Sequence, residues 1–293
     1  MIRTLSTSEF AKILGLSESS VRRMADAGDL RILRTRGGHR RIPVSEAVRY
    51  VRQADQRIIS PERLGLQEVP AEAATESTDA AMLSALEAGE ADTVFGLMQW
   101  LYASGQSVAE LCDGPLAFAM AQIGSRWPHD KRAIFVEHRA TMLCVRALNQ
   151  LRLSVPQPAA DAPIAVGAAM SSDTYLLPTL AASLVLYESG LNETNLGPNT
   201  PLDVLADAVA ELQPELVWLS IGQPPRSQSQ LAEVLRLAEV ASEKKASFVV
   251  GGRYTEELAS IQMDSSGQPR WTHCDSMGDL QEIAANCLFV GRC

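Results

Sequence analysis

The chain has 293 residues, room for two or three domains, and is 46% hydrophobic, 21% charged and 5% aromatic, a balance that excludes a disordered or collagen-like polymer. No apolar run reaches the roughly 18–20 residues of a membrane helix, and the N-terminus has no apolar signal core, so a cytoplasmic protein with no membrane partner is expected. The five cysteines (Cys112, Cys144, Cys274, Cys287, Cys293) include no C-x-x-C pair and read as thiols of a reducing compartment, with no zinc site. The net charge of −9 is unevenly divided: residues 1–53 carry 11 basic and 5 acidic side chains (+6), the other 240 carry 15 and 30 (−15). A basic module that meets a polyanion is thus joined to an acidic body that does not.

In the basic module, Ser6-x-x-Glu9 is a capping box, followed at helical spacing by Phe10, Ile13 and Leu14 and ended by Gly15. Ser17 caps a second helix that carries Val21, Met24 and Ala25 and stops at Gly28. Two short helices around a glycine turn are the helix-turn-helix plan. Leu30–Arg34 and His39–Ile42, around Thr35-Arg36-Gly37-Gly38, read as a β-hairpin with arginine at its tip and on both strands. A helix from about Ser45 to Ala54 closes the small core through Val48 and Val51. The second helix of such a unit enters the major groove of duplex DNA, which makes Ser19, Ser20, Arg22 and Arg23 candidates for base edges or phosphates. Arg34, Arg36, Gly38, His39, Arg40 and Arg41 of the hairpin suit phosphates or the adjacent groove.

Residues 1–54 as a whole resemble the winged helix-turn-helix domain of the MerR family, and Arg36-Gly37-Gly38-His39-Arg40-Arg41 is similar to the wing of its CarH-type subgroup. No long apolar heptad helix follows, so the dimerising coiled coil of ordinary MerR proteins is absent. Residues 55–78, with Ser60-Pro61, Gly65, Val69-Pro70 and Ala71–Thr78, read as a mobile linker that lets head and body reorient.

Residues 79–155 read as a four-helix bundle, with helices near 79–88, 90–104, 107–124 and 130–153 divided by Gly89, Gly105 and Trp127-Pro128. Glu137, Thr141 and Cys144 share one face of the last helix and His138 lies on an adjoining one. By residue chemistry alone, Trp127 packs under a turn and His138 bonds a neighbouring carbonyl.

Residues 160–293 alternate strand and helix. Strands are expected at Ile164–Met170, Glu193–Leu196, Leu216–Ile221, Ser247–Val250 and Thr272–Cys274, with helices near 178–189, 201–212, 227–243, 254–262 and 278–287. Five such units make a flavodoxin-like, doubly wound parallel sheet, whose ligands sit outside the carboxyl ends of the strands. Those ends carry Ser171–Tyr175, Leu196–Thr200, Ser220-Ile221-Gly222 and Gly251-Gly252. Asp173, Tyr175 and Ser220 form no nucleophile–base–orienter set, so no enzyme is expected. His273-Cys274, Trp218 and Trp271 read as packing or subunit contacts.

A four-helix bundle followed by this sheet resembles the cobalamin-binding module shared by methionine synthase and the CarH-type regulators. Leu196-Gly197-Pro198-Asn199-Thr200-Pro201 is similar to that family's second strand-to-helix turn. The resemblance implies that Ser220 meets the cofactor's nucleotide base and Gly251-Gly252 its tail. It likewise implies that Trp127 and Glu137-His138, a Trp-x9-Glu-His match, cover the upper corrin face. The family's first loop supplies a histidine ligand to cobalt, where this chain has Asp173-Thr174-Tyr175-Leu176-Leu177-Pro178. A neutral phenol is a poor cobalt ligand. Three readings stay open: a scaffold or a seat for another effector; a different planar ligand, with Tyr175 ligating haem iron or donating to a bilin; or cobalamin held without the histidine.

The expectation is a multidomain protein: an α+β winged helix-turn-helix, a four-helix bundle and an α/β flavodoxin-like sheet. It is expected to act as a sequence-specific repressor on a double-stranded operator, as a homo-oligomer (dimer or tetramer) answering to a small-molecule or protein effector. The alternatives are a tetrapyrrole-dependent, light-responsive regulator, a corrinoid-carrier subunit of a methyltransferase, and a ligand-free interaction protein.

Overall fold

The computed structural model describes residues 4–35, 37–53, 78–126 and 131–290. The chain forms two compact units that divide between Pro156 and Gln157.

In the first unit, β1 (Thr4–Ser6) leads into α1 (Thr7–Leu14), then α2 (Glu18–Ala27), β2 (Leu33–Arg34), β3 (Arg40–Pro43) and α3 (Val44–Gln53). The capping box forms: the Ser6 N–H donates to Glu9 at 2.6 Å and the Glu9 N–H to the Ser6 hydroxyl at 3.1 Å. Gly15 ends α1 in the left-handed region at φ 65°, and Ser17 caps α2. The sheet has the order β1-β3-β2, antiparallel throughout. β1 was not expected, since three residues before a helix cap are too few to show alternation. The first hairpin strand is shorter than the expected Leu30–Arg34, because Leu30 turns inward and is buried before the strand starts. Leu5, Phe10, Ile13, Leu14, Val21, Leu30, Ile42, Val48 and Val51 make the core. Met24 and Ala25 are only partly buried, so α2 anchors itself through Val21 and leaves most of its surface open.

The bundle comprises α4 (Thr78–Ala88), α5 (Ala91–Ala103), α6 (Val108–Leu111), α7 (Ala117–Gly124) and α8 (Lys131–Arg152). The continuous helix expected over 107–124 is broken: Cys112–Leu116 forms a wider turn at Gly114-Pro115. Proline supplies no N–H to the ladder and its ring collides with the preceding turn. Met82, Leu86, Leu97, Met98, Leu101, Tyr102, Leu111, Leu148 and Leu151 fill the interior. The head packs on this bundle through α3 and α5, with the Arg52 guanidinium 4.2 Å from the centre of the Tyr102 ring. The expected linker at 55–78 lies outside the described residues, apart from Thr78, which opens α4.

The second unit runs β4 (Ile164–Ala169), α9 (Leu176–Glu188), β5 (Asn192–Asn195), α10 (Leu202–Leu212), β6 (Leu216–Ser220), α11 (Gln228–Glu243), β7 (Ser247–Gly251), a 3-10 turn at Thr255–Leu258, α12 (Ala259–Gln262), β8 (Thr272–Cys274) and α13 (Met277–Val290). All five strands are parallel in the order β5-β4-β6-β7-β8, the flavodoxin-like order whose switch point falls between β4 and β6. One face of the sheet is packed by α10 and α11 through Val166, Ala168, Leu205, Val217, Leu219 and Leu237. On the other face α9 and α13 meet. Trp218 belongs to the core: its ring lies over Gly167, where an added Cβ would stand 2.1 Å from it, and its indole N–H donates to Thr179 at 3.2 Å. Trp271 is also core, edge-on to Phe248.

Candidate nucleic-acid interface and the carboxyl edge of the sheet

The first turn of α2 carries a serine cluster. The Ser17 hydroxyl lies 2.8 Å from that of Ser19 and 2.9 Å from that of Ser20, and it accepts the Ser20 N–H at 3.2 Å. Arg22 and Arg23 project from the next turn into solvent. Arg22 pairs with Glu18 at 2.7 Å, and Glu18 also accepts the Thr7 hydroxyl at 2.8 Å. These two bonds, Thr7 first, hold the Glu18 carboxyl below its ordinary range. Arg23 is 3.4 Å from the Ser20 hydroxyl.

The wing turns through Gly38, left-handed at φ +77°, with the Gly38 N–H donating to the Thr35 carbonyl at 2.9 Å. Arg34 and His39 are exposed, and Arg41 is partly buried next to Glu9. Arg40 instead reaches back to α2 and pairs with Asp26 at 2.6 Å. Arg36 lies outside the described residues. A groove of 320 Å³ runs between the wing and the starts of α1 and α2, lined by Thr7, Glu18, Arg22, His39, Arg40 and Arg41 with Ser6 and Gly38. Of the head residues expected to face a polyanion, Arg22, Gly38, His39, Arg40 and Arg41 are thus brought to one groove, while Ser19, Ser20, Arg23 and Arg34 lie outside its lining. Behind it, buried Glu46 accepts the Arg31 N–H at 2.8 Å and pairs with Arg49 at 2.5 Å, fixing the approach to the wing against α3. The two anionic partners, Glu18 and Asp26, went unnoticed in the sequence. The available signal was an acidic residue in the last turn of α2, where the helix dipole disfavours it.

In the bundle, Thr141 donates to Glu137 at 3.2 Å, and Cys144 one turn further on is fully buried, its thiol pushed up to about 12 by desolvation. His138 does not bond a neighbouring carbonyl: its side chain is 70% exposed and 3.5 Å from Glu137. Trp127 lies outside the described residues.

At the sheet's switch point the loops after β4 and β6 are joined by one carboxylate. Asp173, 1% exposed, accepts the Gly222 N–H at 2.5 Å and the Tyr175 N–H at 3.0 Å. The second bond is an Asx turn and was legible in Asp-Thr-Tyr; the first joins residues 49 apart and was not. Ser172 donates from its backbone to Asn199 at 2.7 Å, and Gln230 donates to the Ser171 carbonyl and the Ser172 hydroxyl, each at 3.0 Å. The Tyr175 ring is half-exposed and lies over Gly222, where an added Cβ would stand 3.0 Å from it.

The fold implies a corrinoid at this edge, and the residues do not fit its His-on form. The first loop offers a phenol, a poor ligand for cobalt. Gly251 and Gly252 lie where the backbones of neighbouring strands and loops leave no room for a side chain. A Cβ on Gly252 would stand 2.5 Å from the Ile221 carbonyl, and one on Gly251 2.9 Å from that of Cys274. Ser220 is buried at the end of β6.

Residues 4–55 match the family model for a helix-turn-helix domain, and residues 79–152 match that for a B12 binding domain. The chain is 28% identical over 287 residues to the HTH-type transcriptional repressor CarA of Myxococcus xanthus, an alignment that covers 88% of this chain and 96% of that one. Among solved structures, the monomethylamine corrinoid protein of Methanosarcina barkeri superposes with a TM-score of 0.50 at 14% identity, covering 70% of this chain and 95% of its own. The helix-turn-helix match of the basic head and the likeness to a repressor over most of the chain support a DNA-binding transcription regulator. In domain make-up the chain is similar to that repressor, with a bundle that matches the B12 binding model and a flavodoxin-like sheet after its head. Among the described residues no helix is long and apolar enough to cross a membrane.

Proposed function

We propose that the chain is a sequence-specific repressor that occupies duplex operators as a homo-oligomer, its heads gathered by the acidic bundle-and-sheet body without a corrinoid. The observation that carries the DNA reading is the groove in which Arg22 of α2 meets His39, Arg40 and Arg41 of the wing. In this reading Ser19, Ser20, Arg22 and Arg23 enter the major groove, while Arg34, Arg36, Gly38, His39 and Arg41 meet the phosphate backbone. Support for repression comes from the likeness to a repressor over most of the chain. A head of about fifty residues makes few contacts, so tight binding calls for two or more heads on repeated half-sites.

The reading of the body is supported by the Asp173 bridge between the loops after β4 and β6 and by a phenol where the resembled family has a histidine. Glu137, His138, Tyr175, Ser220, Gly251 and Gly252 then serve the bundle surface and sheet edge rather than a tetrapyrrole.

Two measurements test the proposal. Fluorescence anisotropy on duplexes enriched from a random-sequence pool should show affinity falling steeply with salt, about 0.9 in log–log slope per phosphate neutralised. Arg23→Ala should lower both the affinity and that slope. The same protein mixed with adenosylcobalamin, haem or biliverdin and passed over a sizing column should elute as an oligomer without a shifted, co-eluting spectrum. A salt-independent interaction ends the DNA reading, and a co-eluting corrin spectrum ends the cofactor-free one.

A further inference from the structure

The wing of a winged helix works only if it is held at a fixed angle to the recognition helix. We propose that Arg40 does this holding: paired with Asp26, it locks the wing to α2 and makes no phosphate contact of its own. The inference rests on the reading that the head binds duplex DNA and assigns one wing arginine a different task from its neighbours.

Three observations carry it. First, the pair spans the two elements that must keep register. Asp26 stands in the last turn of α2, Arg40 opens β3 opposite Arg34, and their side chains meet at 2.6 Å. Among the described side-chain hydrogen bonds of the wing, this is the one that reaches α2; the bond between the His39 N–H and Thr35 stays within the wing.

Second, the arginine lies against the head. Its side chain is 26% exposed, against 57% for Arg22, and its Nε is shielded from solvent. Arg22 and Arg41 line the same groove, and Arg22, paired with Glu18 on its own helix, stays the more exposed to a phosphate.

Third, Asp26 is placed at a cost. A carboxylate at a helix C-terminus opposes the dipole, and a negative charge within a Debye length of about 8 Å repels the DNA backbone. Neutralising Arg40 offsets both penalties and puts the carboxylate to use. An exposed pair contributes little to stability, about 0–1 kcal/mol, so its effect belongs to geometry rather than to folding.

The test uses the full chain and two probes: a duplex that the chain enriches from a random-sequence pool, and a shuffled duplex of equal length. Anisotropy titrations over a range of KCl give the affinity ratio between them and the salt slope on each. For Arg40→Gln the proposal expects an unchanged salt slope and a specificity ratio reduced about tenfold, the scale of one misread base pair. For Asp26→Asn it expects a similar loss of ratio with a slope steeper by about 0.9, as the freed Arg40 finds a phosphate. Thermal unfolding should shift by no more than about 2–4 °C in either variant. A salt slope that falls by about 0.9 in Arg40→Gln, with affinity lost equally on both duplexes, overturns the proposal and makes Arg40 a phosphate contact. An unchanged ratio in both variants overturns it too. If the unaltered chain does not separate the two duplexes, the DNA reading itself fails, an outcome distinct from either.

Discussion

Replacing Asp173 with alanine should destabilise the sheet unit more than any surface change of the same size. The carboxylate is 1% exposed and takes two backbone N–H groups, from Gly222 at 2.5 Å and from Tyr175 at 3.0 Å. A hydrogen bond to an ionised group contributes about 1.5–3 kcal/mol, so the two together set a ceiling of about 3–6 kcal/mol. Tyr175 is half-exposed and Gly222 partly so. Water can therefore reach the freed amides and recover part of the loss, which leaves about 2–4 kcal/mol, a fall in melting temperature on the order of 10 °C. Urea unfolding followed by the buried Trp218 and Trp271 gives the size of the effect. Native-state hydrogen exchange at the Gly222 and Tyr175 amides gives its location. Asp173→Asn should fall between, because one of its two partners then faces an NH2 group. If Asp173→Ala unfolds within about 0.5 kcal/mol of the parent, the range of an indifferent surface change, the switch point is not held by this carboxylate.

Gly252→Ala combines a left-handed φ of +118° with a Cβ 2.5 Å from the Ile221 carbonyl, which already accepts the Tyr254 N–H. It should cost about 2–4 kcal/mol, whereas Gly197→Ala, at φ +87° with no atom within 4 Å, should cost only about 1–2 kcal/mol in a thermal melt. Cys144, buried and with its thiol pushed up to about 12, should resist iodoacetamide at pH 8 in the folded chain and react once urea unfolds it, as peptide mass spectrometry will read. The Ser6 N–H, its first cause, holds the Glu9 carboxyl below the ordinary range. The folded value lies under the unfolded one, so the contribution is present above about pH 4.3 and is lost as pH falls through the folded value. The melting difference between the parent and Glu9→Gln should therefore shrink on acidification; a difference that grows would refute the assignment.

A closed switch point has a consequence for control. A sheet that needs a ligand to order its carboxyl edge couples assembly to that ligand, since binding to the folded form alone adds to its stability. Here Asp173, Asn199 and Gln230 supply the cross-links from within the chain. In the proposed function the order of this edge does not wait on a ligand, and regulation falls to what competes for the heads or their operator.

Local chemistry made much of this protein legible from its residues. Ser6-x-x-Glu9, Ser17 and the glycines Gly15 and Gly28 mark the ends of the two head helices, because caps act within one helical turn. The central strands β4, β6 and β7 show themselves for a similar reason: strands buried on both faces are near-continuous apolar runs, whereas the polar edge strands β5 and β8 carry only the alternation with helices. The wing arginines were visible as a group, as was the loss of histidine at position 175. Which arginine faces outward and which pairs with Asp26, and that Asp173 accepts the Gly222 N–H, depended on tertiary structure. Side chains 14 and 49 residues from their partners meet only when separate elements pack, and no periodicity or cap encodes such distances.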